Sequence, residues 1–258
     1  MLEAIGLTKS FKHRIVVDHV SMKVRSGTVV GLLGANGAGK TTTFKMIVGL
    51  IGADCGKILL NGEDIGLLPL YRRARLGIAY LPQEPSVFRK LTVEQNIQII
   101  LEVLDVTVVE RKIRLHRLLN ELNIAHLAGV KASSLSGGER RRLEIARALV
   151  LYPRFIFLDE PFAGIDPMMI SEIQYLIWGL RAKGIGVIVT DHNVTETLQV
   201  CDHAYIINSG KILENGSPEK IVGSEKVREY YLGDDFEFIK IPNRRPPDDH
   251  RGELSYFM

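Results

Sequence analysis

Thr28-Val29-Val30-Gly31-Leu32-Leu33-Gly34-Ala35-Asn36-Gly37-Ala38-Gly39-Lys40-Thr41 is the stretch whose reading decides the fold. Its first six residues are almost continuously apolar, the pattern of a strand covered on both faces, as in a parallel sheet. Gly34 to Thr41 then matches the phosphate-loop spacing in full, and Thr41 to Leu50 continues as helix. The glycines let successive backbone N–H groups converge on phosphate oxygens. Lys40 places a cation at the β and γ phosphates, and Thr41 offers a hydroxyl to magnesium. The helix that follows adds the positive end of its dipole.

Further along, the apolar run Phe155-Ile156-Phe157-Leu158 ends at Asp159 and Glu160. A buried strand that terminates in two carboxylates sets them at the carboxyl edge of the sheet, where ligands gather in open α/β folds. Asp159 can reach the magnesium shell, directly or through water, and Glu160 is placed to orient and deprotonate an attacking water. His192 follows the strand Gly186–Thr190 onto the same edge, where it can hydrogen-bond a γ phosphate; an isolated histidine also has a structural reading. Gln83 follows the strand-like Ile78–Pro82 and either touches magnesium or water or is an exposed loop residue. Ser136-Gly137-Gly138-Glu139 forms a capping box whose paired glycines leave the helix N–H groups open to an anion. One chain already holds a phosphate site at Gly34–Thr41, so this second anion-binding end suggests that a second subunit supplies it.

Outward from these motifs, Ile15–Val17 and Val20–Val24 read as short strands, and Lys57–Leu60 as a strand ending in an Asn61-Gly62 turn. Thr92-Val93-Glu94-Gln95 is a capping box, followed by apolar positions 97, 100, 101 and 104 at helical spacing and a second amphipathic run over 108–122. Residues 84–135 are therefore taken as a helical insert. The core resumes with the helix after Ser136, the strand Phe155–Leu158, a helix over Met168–Arg181, the strand Ile185–Thr190 and a hairpin over Ala204–Leu213. From Asp234 the composition turns to charge and proline, and the tail 234–258 reads as loosely ordered or docked on a partner.

The 258 residues suffice for one domain with a sizeable subdomain, and 46% hydrophobic with 24% charged residues is ordinary for a globular protein. A net charge of +3 gives no argument for nucleic acid. The basic runs Arg72-Arg73-Ala74-Arg75, Arg111-Lys112-Ile113-Arg114 and Arg140-Arg141-Arg142 read as solvated helix faces, or as contacts to a partner or an anionic lipid surface. Cys55 and Cys201 lack metal-ligand spacing and read as free cytoplasmic thiols. No stretch approaches the roughly 18 consecutive apolar residues of a spanning helix, so any membrane role would come through a protein partner.

Taken together, these residues resemble the nucleotide-binding subunits of ABC transporters over roughly 2–233. Gly34–Thr41 is similar to their Walker A, Gln83 to their Q-loop, Leu135–Glu139 to their signature, and Phe155–Glu160 to their Walker B with catalytic glutamate. Ala163-Gly164-Ile165-Asp166 is similar to their D-loop and His192 to their switch histidine. Phe11 falls where that family stacks an aromatic on adenine, and Thr42 lies within its nucleotide-binding loop. The resemblance implies an α/β P-loop NTPase core of ABC ATPase type over 1–233, with an N-terminal antiparallel β subdomain and the helical subdomain 84–135 inserted. It implies ATP and Mg2+ as ligands, with Lys40, Gln83, Glu160 and His192 catalytic and Thr41, Gln83 and Asp159 at the metal. It also implies a homodimer that sandwiches ATP beneath two membrane permease subunits, at the cytoplasmic face of a bacterial inner membrane.

Within the family, Asp191-His192-Asn193-Val194, Cys201–Ile207 and Phe162–Pro167 are most similar to the ATPases of lipopolysaccharide exporters; those of branched-chain amino-acid importers are the alternative. Tyr80, Phe88 and Arg89 are then candidate contacts to the permeases. The short span from Gln83 to Leu135 lacks the coiled coil of DNA-repair relatives, and the single cassette lacks the duplication common among translation-associated ones. Glu160 and His192 together oppose a catalytically dead regulator.

Overall fold

Side chains two apart on a strand share a face, and the central sheet uses that alternation to bury apolar residues on both sides. The computed structural model describes residues 1–165, 167–233 and 236–239. Among them the strands form two sheets, one ordered β2-β1-β4-β5 and one ordered β10-β9-β3-β8-β7-β6. The first is antiparallel and contains β1 (Leu2–Phe11), β2 (Arg14–Val24), β4 (Cys55–Leu60) and β5 (Glu63–Asp64). In the second, β3 (Val29–Leu33), β6 (Ile78–Leu81), β7 (Phe155–Asp159), β8 (Gly186–Thr190) and β9 (His203–Asn208) run parallel, and β10 (Lys211–Gly216) closes the edge antiparallel.

Val30, Leu32, Phe155, Phe157 and Ile188 face one way, into a core shared with the N-terminal sheet and helix α1 (Lys40–Val48). Phe44 of α1 meets Phe157 edge-on at 5.1 Å. Val29, Ile156, Leu158, Val187 and Val189 face the other way, toward α3 (Val93–Leu101), α4 (Val108–Glu121), α5 (Gly137–Leu149) and α6 (Pro167–Ala182). Cover on both faces is why these strands carry no polar alternation.

In the short helix α2 (Leu70–Arg75) the expected solvated face holds for exposed Arg72 and Arg75, and Arg73 departs from it. Arg73 is 1% exposed. Its guanidinium donates to the carbonyls of Met46 and Ile47 at 2.8 and 2.6 Å and to those of Leu68 and Gly66 at 2.7 and 2.8 Å, closing the C-terminal end of α1. The other runs are engaged within the chain as well. Arg114 pairs with Glu110, Arg141 with Glu144 at 2.9 Å and Arg142 with Glu172 at 3.1 Å.

The region 15–24, expected as two strands, is a single strand with a local irregularity: His19 sits at φ 54° and the pairing with β1 shifts register nearby. The Asn61-Gly62 turn has φ of 53° and 92° at its two residues, as a tight hairpin needs. The Thr92 cap forms as read, with Gln95 N–H donating to Thr92 Oγ1 at 3.2 Å and Thr92 N–H to Gln95 Oε1 at 2.9 Å. After α7 (Val194–Val200), β9, β10 and α8 (Pro218–Gly223), Arg228–Leu232 forms a wide turn. Of the tail, Phe238 packs on the cluster of Leu33, Leu198 and Ile206, and the Ile239 carbonyl accepts from Gln199 Nε2 at 2.6 Å. Those residues dock on the chain's own body; 234, 235 and 240–258 lie outside the described residues. Among the described residues no helix is long and apolar enough to cross a membrane.

Candidate functional site

Strand order brings the motifs together. From β3 through β8 and β7 to β6, four parallel neighbours end on one edge, and they lead into Gly34, His192, Glu160 and Gln83 respectively. Gly34 has φ 155° and Gly39 φ 110°. A Cβ on Gly34 would lie 2.1 Å from the Ile207 carbonyl oxygen and one on Gly39 2.8 Å from that of Val16, so both positions exclude a side chain. The loop is also braced from the β9–β10 turn, where Gly210 N–H donates to the Ala38 carbonyl at 3.0 Å. Ala35, Asn36 and Gly37 are exposed at its crest.

Lys40 is buried, and its Nζ donates to the Gly34 and Ala35 carbonyls at 2.6 and 3.1 Å. Burial pulls its pKa down, opposed by the charges of Glu160, Asp191 and Asp159. Thr41 and Thr42 follow half-buried in the first turn of α1. Gly39 caps that helix without any side-chain hydrogen bond, leaving its first N–H groups for a ligand.

Asp159 is buried, its Oδ2 accepts the Tyr80 hydroxyl at 2.9 Å, and its Oδ1 has no partner. Burial raises its pKa and the Tyr80 bond opposes that. The Tyr80 phenol is itself pushed up by burial and by the Asp159 charge, so it stays a donor. Glu160 adopts φ 48°, a conformation rare for a side-chain-bearing residue, and is fixed there by its N–H bond to the Thr190 carbonyl at 2.7 Å. Its Oε2 lies 3.6 Å from His192 Nδ1. Fully buried Asp191 ties the two loops together, accepting from Phe162 N–H at 2.7 Å and Asn193 N–H at 2.9 Å. Burial pushes its pKa up, against those bonds.

Ser136 caps α5 through a complete capping box: Glu139 N–H donates to Ser136 Oγ at 3.3 Å and Ser136 N–H to Glu139 Oε2 at 2.8 Å. That backbone bond holds the Glu139 carboxyl below its usual range. Among the described residues no hydrogen bond or ion pair joins this end to Gly34–Thr41. The atoms beside its glycines belong to α6, with Met169 Cε 2.9 Å from a Cβ on Gly137 and Glu172 Oε2 2.9 Å from one on Gly138.

Comparison with known proteins agrees with this geometry. Residues 17–163 match the family model described as ABC transporter. The chain belongs to the ABC transporter family. It is an ABC transporter ATP-binding subunit, an ATP-hydrolysing one. It is similar to the lipopolysaccharide export system ATP-binding protein LptB of Acidithiobacillus ferridurans, 57% identical over 92% of this chain and 98% of the relative. The protein of the same name from Haemophilus influenzae is 54% identical over the same shares. Among solved structures, the ADP conformation of an ATP-binding cassette of an ABC transporter superposes with a TM-score of 0.81 at 29% identity, covering 90% of this chain and 98% of that one.

In this ABC ATPase, Lys40, Asp159, Glu160 and His192 converge on one edge, and Gln83 follows the strand β6 to that edge as an exposed residue. Phe11, 47% exposed, ends β1 with Lys9 Nζ 5.6 Å from its ring centre. Asp166 lies outside the described residues. Tyr80, a candidate permease contact, is half-buried and turns its hydroxyl to Asp159, its register partner being Phe157 on the α1 face. Asp191 and Tyr80 carry no role at this site in the sequence reading, and Gly210 does not enter it. Asp191 adjoined a motif residue and was open to notice; nothing local marks the other two.

Among the described residues no group of three His, Cys, Asp or Glu side chains could hold a metal by itself. A cation here would be shared with phosphate oxygens, and the buried, unpartnered Asp159 Oδ1 fits that demand.

Proposed function

We propose that this chain powers lipopolysaccharide export, working as a pair of identical subunits beneath two membrane permeases at the cytoplasmic face of a bacterial inner membrane. The observation that carries the ATPase part is the convergence of the uncapped α1 start, Lys40, Asp159, Glu160 and His192 on one sheet edge. The relatives named for lipopolysaccharide export, matched over nearly their whole length, support the transport part.

Lys40 exchanges its carbonyl partners for β and γ phosphate oxygens when ATP enters, and the α1 N–H groups hold the same phosphates. Phe11 stacks on the adenine. Thr41, Gln83 and Asp159 would hold Mg2+, which when bound would neutralise charge on the phosphates. Glu160 orients the attacking water in line with the β–γ bond and takes its proton, while His192 steadies the γ phosphate and the Glu160 carboxylate. Ser136–Glu139 of a second copy closes over the γ phosphate, which accounts for a glycine-rich helix start with no phosphate loop beside it in its own chain. Phe88 and Arg89 lie on a loop pinned by buried Asn96, whose Oδ1 accepts from Phe88 N–H at 2.8 Å, and they present that loop to the permeases.

Glu160→Gln is expected to keep ATP binding, lose turnover by about 10²-fold or more, and elute as a dimer on gel filtration with ATP and magnesium. A variant that stays monomeric at high concentration opposes the sandwich. Mild-detergent capture from the native membrane tests the transport part: lipopolysaccharide-export permeases support it, and amino-acid permeases move the chain to the importer branch with its ATP chemistry unchanged.

A further inference from the structure

The fold treats the two oxygens of Asp159 differently. Oδ2 accepts the Tyr80 hydroxyl at 2.9 Å, whereas Oδ1 is buried without a hydrogen-bond partner. Sheet register explains how the tyrosine arrives there. Tyr80 pairs with Phe157 across the parallel β6–β7 ladder, so with period two Tyr80, Phe157 and Asp159 share the face covered by α1. Asp159 stands two residues beyond Phe157, about 6.6 Å along the strand, a step that the length of a tyrosine ring spans.

Core packing accounts for the ring, which lies against the apolar cluster under α1. It does not account for the hydroxyl, since phenylalanine would fill the same space and bring no polar group to be satisfied. The hydroxyl's acceptor is the carboxylate that ends in the phosphate site. A carboxylate turns readily about its terminal torsion, and a single donor on one oxygen fixes that rotation and commits the other oxygen to a different task.

We propose that Tyr80 is a positioning residue for the ATPase: its hydroxyl holds Asp159 so that Oδ1 is presented to the divalent cation of the bound nucleotide. This rests on the magnesium–ATP reading given above. The strand β6 that carries Tyr80 ends at Leu81, and Gln83 follows it two residues later.

Tyr80→Phe deletes one oxygen and tests the idea. In a Glu160→Gln background, which binds without turning over, the magnesium concentration for half-maximal binding of a fluorescent ATP analogue is expected to rise about 10-fold, the low end of the effect of removing an outer partner of a metal ligand. Binding of the analogue in EDTA is expected to stay the same. With Glu160 intact, the half-activating magnesium concentration shifts likewise, while the KM for ATP at saturating magnesium does not. Equal magnesium midpoints with and without the hydroxyl would overturn the proposal. Loss of binding in EDTA as well would also overturn it, by assigning the hydroxyl to the fold. If the chain with Tyr80 in place shows no magnesium-dependent nucleotide binding, the underlying reading of the site fails first.

Discussion

Two helices of this chain begin at glycines ready for an anion, and the fold prepares them in opposite ways. The start of α1 is buried and uncapped by any side chain, and its lysine is parked on backbone carbonyls. The start of α5 is exposed, and its own serine and glutamate satisfy the N–H groups of Glu139 and Ser136 while those of the two glycines face water. The first is costly to leave empty, so it is built around a ligand that the chain itself must hold. The second is content in water and forms without a ligand, which suits a surface that waits for a partner. The same physics of orphan N–H groups thus yields a binding site in one place and a docking end in the other.

The contrast can be broken most forcefully at the lysine. Lys40→Ala is expected to lower ATP affinity by about 100-fold or more, the worth of two or more charge-assisted phosphate contacts, as read by equilibrium binding of a fluorescent analogue. Near-normal binding would mean that the α1 end alone carries the phosphates. Next come the glycines. Gly39→Ala forces a side chain into a left-handed conformation against the Val16 carbonyl and is expected to cost about 2–4 kcal/mol in urea unfolding. Gly137→Ala meets only the flexible end of Met169 and is expected to change stability by less than about 1 kcal/mol. Equal costs at the two glycines would erase the distinction.

Arg73→Met tests the far end of α1. Removing this donor from the buried Met46 and Ile47 carbonyls and from those of half-buried Gly66 and Leu68 is expected to lower stability by about 3 kcal/mol, with a matching fall in thermal midpoint. At the other cap, stability and turnover separate. Ser136→Ala is expected to cost about 1 kcal/mol in unfolding yet, if the proposed sandwich sets this hydroxyl against the second copy's nucleotide, to remove most ATP turnover. A variant that loses stability without losing turnover would make that cap purely structural.

What could be read from sequence was what is local. The capping boxes at Thr92 and Ser136, the Asn61-Gly62 turn and the apolar strands that end in Gly34 and Asp159 are each encoded within a few residues, and the structure contains them. Arg73 could not be read that way. It sits among other arginines, and only the arrival of α1 and the loop at Gly66–Leu68 gives it four carbonyls in place of water. Likewise a bulge at His19 breaks the alternation of a single long strand, so β2 resembled two. Tyr80 could be read only as a candidate permease contact because its partner in this site lies 79 residues away.

The place of β3 in the sheet also bears on the chain's synthesis. Its neighbours on either side are β8 and β9, and the turn that braces the phosphate loop follows β9. A growing chain carries all of Gly34–Thr41 early, but the frame that shapes it waits for residues made some 150 positions later. ATP can therefore reward only a nearly finished molecule, and a chain halted before β8 exposes an apolar strand with no neighbour on either side, the form that quality-control proteases and chaperones are built to find.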